Sequence, residues 1–147
     1  MKAKLVTILL LVVSLGFFLG GCCKWAVKET PLLKLDPVYF NFDKATLTPD
    51  AKAILGKDIQ VLKDNPDVKV NIQGNTCASG DNQYNQKLSE SRATAVEGFL
   101  VQGGIAADRL SKVGYGETQM QMPEPNPNKI ESSAAKANRR VDLKVIE

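Results

Sequence analysis

Histidine is absent from all 147 residues. Its absence removes the commonest general base and the commonest metal ligand. Ser89 and Ser91 have no imidazole to activate them, which excludes triad-type nucleophilic hydrolysis. Aromatics are scarce, at 6% of residues, and no basic run breaks the sequence. Lys and Arg number 19 against 16 Asp and Glu, a formal charge of +3. A polyanion binder needs a concentrated positive face with stacking side chains, so no nucleic acid partner is expected. The 3 cysteines, without histidine, make a poor zinc set. No internal repeat or low-complexity run is present, which excludes solenoid architectures.

What is present begins with an apolar run. Lys2 and Lys4 precede Leu5 to Leu19, which is almost wholly Leu, Val, Ile and Phe. Leu19-Gly20-Gly21-Cys22 then sets small residues before a cysteine, the pattern of a removable export leader. A spanning helix needs about 20 apolar residues, and this run is shorter and ends in two glycines and two cysteines. The same four residues resemble the lipobox of bacterial lipoproteins. That resemblance implies cleavage before Cys22 and acylation of its sulfur and its new amino group. Cys23 fits the role poorly, because Gly20 would then stand where the leucine is needed. Residues 1–21 are therefore expected to be a removed signal peptide, 22–37 a lipidated tether and 38–147 the folded domain. Two or more acyl chains anchor stably where one is marginal, at about 0.8 kcal/mol per buried methylene. Losing Lys2 and Lys4 takes the 19 basic side chains to 17 against 16 acidic. Cys23 and Cys77 are left as a couple in an oxidising compartment, either free or bridged.

Past the tether, Val38, Phe40 and Phe42 alternate with polar residues and predict a strand. Thr48-Pro49-Asp50 is a helix start, and Ile54, Leu55, Ile59, Val61 and Leu62 supply its apolar stripe. Asn65-Pro66 ends it, since the residue before proline is pushed out of helical geometry. Val68, Val70 and Ile72 predict a second strand, and Gly74 to Asn82 a polar loop. Tyr84, Leu88, Ala95 and Phe99 recur at helical spacing until Gly103-Gly104 closes the helix. Leu110, Val113 and Tyr115 mark a third strand, and Met120 to Asn128 a mobile loop rich in proline and asparagine. A short helix is expected within 129–137, then a last strand carrying Val141, Leu143 and Val145. Strand, helix, strand, helix, strand implies two right-handed crossovers, hence an α+β fold with helices on one face of a small mixed sheet.

Asn85, Leu88 and Arg92 share one face of the second helix, at i, i+3 and i+7. Arg92 has two readings. Either its stem is packed and the head snorkels to water, or its guanidinium aims into the mouth between helix and loop. There its planar fork suits a carboxylate, and the helix start at Asp81-Asn82 adds free amides. Asp43 and Asp81 suit turn and capping roles better than a catalytic acid pair. Arg139 and Arg140 read as solvated charges beside the last strand. No enzymatic activity is expected.

Gly74 to Ala93 resembles the signature of OmpA C-terminal-like domains, which bind peptidoglycan. Gly74, Thr76, Gly80, Tyr84, Asn85, Leu88, Ser89, Arg92 and Ala93 match it in register. Phe40-Asn41-Phe42-Asp43, Gly104-Ile105, Arg109-Leu110, Gly114-Tyr115-Gly116-Glu117 and Asn138-Arg139-Arg140-Val141 extend the match. With the lipobox, the whole chain resembles peptidoglycan-associated lipoproteins of the Pal type. The resemblance implies a β-α-β-α-β-β sandwich and a non-catalytic cell-wall anchor in the outer membrane, facing the periplasm. Its ligand would be the diaminopimelate-containing stem peptide of peptidoglycan, gripped by Arg92 and lined by Asn85, Thr76 and Leu88, with Phe42 and Asp43 at the rim. Further partners would be outer-membrane lipid, through the acyl chains on Cys22, and a Tol-system periplasmic protein. No cofactor is implied beyond that lipid. The chain departs from the pattern where the ligand's ammonium should meet an aspartate: that position is Cys77, and the neighbouring histidine is Asn75. Either Asp43 or Asp81 supplies the charge from another direction, or wall binding is weakened. The alternative is a degenerate OmpA-like lipoprotein acting as a protein–protein interaction module of the Tol-Pal type, with weak or no wall binding.

Overall fold

The computed structural model describes residues 33–146. Residues 1–21, expected to be a signal peptide, and Cys22 and Cys23 lie outside that range. Of the expected tether, residues 33–37 are described, and there Leu35 joins the core with Leu33 packed against it.

The elements run β1 (Val38–Tyr39), α1 (Pro49–Asp64), β2 (Lys69–Gly74), α2 (Asn82–Gln102), a 3-10 turn (Ala107–Arg109), β3 (Leu110–Gly114), α3 (Ser133–Asn138) and β4 (Arg140–Ile146). They form one four-stranded sheet in the order β1-β4-β2-β3. β2 and β3 are parallel, while β4 lies antiparallel between β1 and β2. Along β2, Val70 and Ile72 are buried while Lys69 and Asn71 are not. Opposite them on β4, Leu143 pairs with Ile72 and Val141 with Gly74. That face packs under the helices, where Leu55, Ile59 and Leu62 of α1 meet Val96 and Leu100 of α2.

Local chemistry sets the helix ends. The Thr48 hydroxyl accepts the Ala51 N–H at 3.1 Å, and Pro49 follows at the first helical position. At the other end Arg109 donates to the carbonyls of Leu62 at 3.0 Å and Asn65 at 2.8 Å, satisfying orphan acceptors of α1. Asp81 caps α2 by accepting the Tyr84 N–H at 2.8 Å. The sheet approaches α2 so closely that a Cβ on Gly74 would stand 2.0 Å from the Ser89 carbonyl oxygen. Its register partner Gly114 would meet the Ser89 Oγ at 2.5 Å. Both positions therefore need glycine.

Three expectations change. The strand anticipated over Val38–Phe42 pairs only at Val38–Tyr39. After Phe40 the chain turns, with the Lys44 N–H on the Asn41 carbonyl at 3.3 Å and Asp43 at φ 54°. The Met120–Asn128 loop is fastened: Asn138 Oδ1 accepts the N–H groups of Gln121 at 2.7 Å and Met122 at 2.9 Å. Arg139 and Arg140 are not solvated, with exposures of 4% and 9%. Arg140 pairs with Asp142 at 3.0 Å, and Arg139 turns inward on the carbonyls of Phe40 and Ile130.

Candidate functional site

The turn that shortens β1 leaves Phe42 and Asp43 beside the start of α2. Between them and the loop after β2 lies a cavity of about 220 Å³. Its wall gathers Arg92, Asn85, Leu88, Cys77, Asp43 and Phe42, together with Ser79, Gly80 and Tyr84. Thr76 does not reach it. Its side chain is buried with an unpartnered hydroxyl, and its N–H binds the Gly116 carbonyl at 2.8 Å. The volume is below the roughly 300–1,000 Å³ of drug-sized sites, and suits the end of one amino acid.

Arg92 dominates this wall. It is fully buried, so the snorkelling alternative is excluded. Nε donates to the Lys44 carbonyl at 2.9 Å, Nη1 to Asn75 at 2.8 Å and Nη2 to Asn41 at 3.2 Å. The Phe40 ring centroid lies 5.2 Å from Cζ, within cation–π range. One side chain thus ties the turn after β1 to the loop after β2 and fixes its own plane. A guanidinium has five N–H donors, so two stay unassigned by these bonds. No carboxylate among the described residues forms an ion pair with it. Burial pulls Arg92 down to about 10, opposed by Cys77, while the Arg139 charge adds to the fall and Asp43 and Tyr84 oppose it. The group is still a cation at neutral pH. A buried cation held by carbonyl dipoles and an aromatic face, with no ion pair among the described residues, favours an incoming anion.

The acids nearby are already engaged. Asp43 accepts the Tyr84 hydroxyl in a short hydrogen bond, which pushes the Tyr84 phenol above its usual range. Asp81 spends one oxygen on the helix cap, and it is not on the cavity wall. The Asp81 carboxylate therefore takes up one amide at the start of α2, and neither Asn82 nor Gln83 lines the cavity. Of the two candidate acids, only Asp43 lines the cavity. Cys77 lines it too, 4% exposed and in no disulfide with a described residue. Asn85 is oriented by the Ser79 carbonyl at 3.1 Å and by Glu117 Oε2 at 2.6 Å. Glu117 is the positioning group that spacing along the helix does not reveal, although it closes the Gly114–Glu117 motif. Gly80, at φ 103°, supplies the left-handed turn that brings Ser79 over Asn85.

Comparison with known proteins agrees with this fold. The family model described as the OmpA family matches residues 39–135. The peptidoglycan-associated lipoprotein of Pseudomonas putida is 36% identical over 117 residues, covering 80% of this chain and 67% of that protein. The crystal structure of the peptidoglycan-associated lipoprotein from Burkholderia pseudomallei superposes with a TM-score of 0.68 at 30% identity, covering 75% of this chain and 89% of that one. Longer relatives match over one part. The chain spans 34% of outer membrane porin F of Pseudomonas aeruginosa at 35% identity. It spans 15% of a Gloeobacter violaceus protein described as photosystem I P700 chlorophyll a apoprotein A2, at 37% identity. The small mixed sheet, its helices and the sequence match place this chain in the OmpA family, with peptidoglycan-associated lipoproteins among its relatives.

Proposed function

We propose that this chain is a non-catalytic cell-wall anchor whose Arg92 cavity holds a carboxylate of the peptidoglycan stem peptide, chiefly that of diaminopimelate. The observation that carries it is the buried, rigidly oriented guanidinium with no ion-pair partner among the described residues, on the wall of a cavity sized for one amino-acid end. Lipid on Cys22 would hold the other end in the outer membrane, with the domain in the periplasm. Relatives named as peptidoglycan-associated lipoproteins and outer membrane porins support both the ligand and the place. The ligand's ammonium would face Cys77 and Asp43 instead of a dedicated aspartate.

Cys77 is also the specific observation that favours a second reading, a module that meets a Tol-system protein and binds the wall weakly. Sedimentation with purified sacculi separates the two. The parent protein is expected to pellet with sacculi and Arg92→Ala to stay in the supernatant. Arg92 also binds three backbone carbonyls, so circular dichroism and a denaturation curve accompany the assay. A folded Arg92→Ala protein that pellets like the parent would remove the cavity from the account.

A further inference from the structure

A second, larger groove of about 910 Å³ lies between β1, the start of α1 and α3. The two hollows meet at Phe42, which lines both. The segment Phe40–Asp43 is a partition gripped from each side. Arg92 Nη2 holds the Asn41 carbonyl at 3.2 Å, and Arg139 Nε holds the Phe40 carbonyl at 3.2 Å. Arg139 is 4% exposed, lines the groove, and among the described residues binds one other acceptor, the Ile130 carbonyl at 2.6 Å. No carboxylate among the described residues forms an ion pair with it. Two like charges, neither in an ion pair with a described residue, therefore stand on either side of one short wall.

The groove is not simply anionic in taste. Asp50 and Glu131 line it, and Glu131 pairs with Lys136 at 3.0 Å. Tyr39, 44% exposed, gives it an aromatic side. Both signs of charge beside an aromatic surface complement a short peptide that carries a carboxylate and an amine. They do not complement a bare anion or an apolar helix.

We infer that this groove is a second wall-recognition subsite, taking the peptide arm cross-linked to the stem whose acidic end sits at Arg92. The stem at Arg92 would be the one whose diaminopimelate amine is consumed in the cross-link, its carboxylate still free; the arm keeps its own diaminopimelate carboxylate, which would lie toward Arg139, and its amine, toward Asp50. The inference rests on the wall-binding role proposed for the Arg92 cavity. An uncross-linked stem fills one hollow; a cross-linked pair fills both, and the second contact becomes intramolecular.

The test is titration of the full-length protein, in detergent, with a diaminopimelate-containing muropeptide monomer and with its cross-linked dimer. The dimer is expected to bind at least about tenfold tighter, beyond the factor its two ends supply by statistics. Tyr39→Ala and Asp50→Asn, both at exposed positions, are expected to bring the dimer to the monomer's affinity and leave the monomer unchanged. A dimer that binds no tighter than a monomer, with monomer binding intact, overturns the subsite and spares the Arg92 assignment. Variants that leave the dimer's advantage untouched overturn it as well. If neither ligand binds, the wall-binding role itself fails and the subsite falls with it.

Discussion

The two halves of α2 bury the same kind of face with opposite chemistry. From Ala93 onward the buried positions are Ala93, Val96 and Leu100, and they meet the aliphatic side chains of α1 and the sheet. Before Ala93 they are Asn85, Ser89 and Arg92, held by hydrogen bonds to Ser79, Glu117, Gly116 and three loop carbonyls. The lower half gains stability from apolar area. The upper half uses its burial to fix polar groups at a cavity wall, where a neutral hydrogen bond contributes about 0.5–1.5 kcal/mol net and one to a charged group about 1.5–3, so that Arg92 bears on folding as well as on binding. Damage to the lower half should change how much protein is folded, and damage to the upper half also what the folded protein binds.

The largest effect expected is on the lower half. Leu100→Ala removes a fully buried side chain and should cost about 2–5 kcal/mol of stability, read as a lower urea midpoint. Affinity per folded molecule for wall fragments should stay within about twofold, because sites this far apart are close to independent.

Next comes the upper half. Cys77→Asp places a carboxylate where the ligand's ammonium is expected and should tighten binding to diaminopimelate-containing muropeptides. A charge-assisted hydrogen bond contributes about 1.5–3 kcal/mol, or roughly ten- to a hundredfold in affinity. Unchanged affinity in calorimetry would show that Asp43 already supplies the charge.

Asp58 is a polar exception on α1, across the core from the lower half of α2, 4% exposed among aliphatic residues. Burial raises its carboxyl to about 6, partly offset by a backbone hydrogen bond from Asp36, whose charge adds to the rise. A raised carboxyl favours the protonated native state. Its stabilising effect is complete at acid pH and is lost as pH climbs from about 4 through about 6. Solvent near the group reduces the full linkage, leaving on the order of 2 kcal/mol. Asp58→Asn should therefore stabilise the protein at pH 7.5 and flatten this slope, measured by denaturation at pH 5 and 7.5.

Legibility in the sequence divides along the same line. The limits of α1 and α2 follow from local signals, Thr48-Pro49 and Gly103-Gly104, and the apolar periodicity names Leu55, Ile59 and Leu62 correctly. The α+β sheet with covering helices follows from strand and helix order. The polar end was less legible. The motif residues converge as the family resemblance implies, but Thr76 stays off the wall, while Ser79 and Gly80 join it through a left-handed turn. The alternation over Val38–Phe42 ends early because Asp43 turns the chain, which no periodicity records. Arg139 is buried because loop carbonyls converge on it from Phe40 and Ile130, 99 and 9 residues away in sequence. Such long-range satisfaction of a charged group leaves no local trace.

The central claim is that the oriented Arg92 guanidinium receives a carboxylate of the wall peptide. The most direct measurement alters the ligand and leaves the protein alone. Full-length protein is titrated with a diaminopimelate-containing muropeptide and with the same molecule amidated at the diaminopimelate carboxylate. Loss of the charge-assisted pair predicts at least about tenfold weaker binding of the amide. Equal affinity for acid and amide would contradict the account.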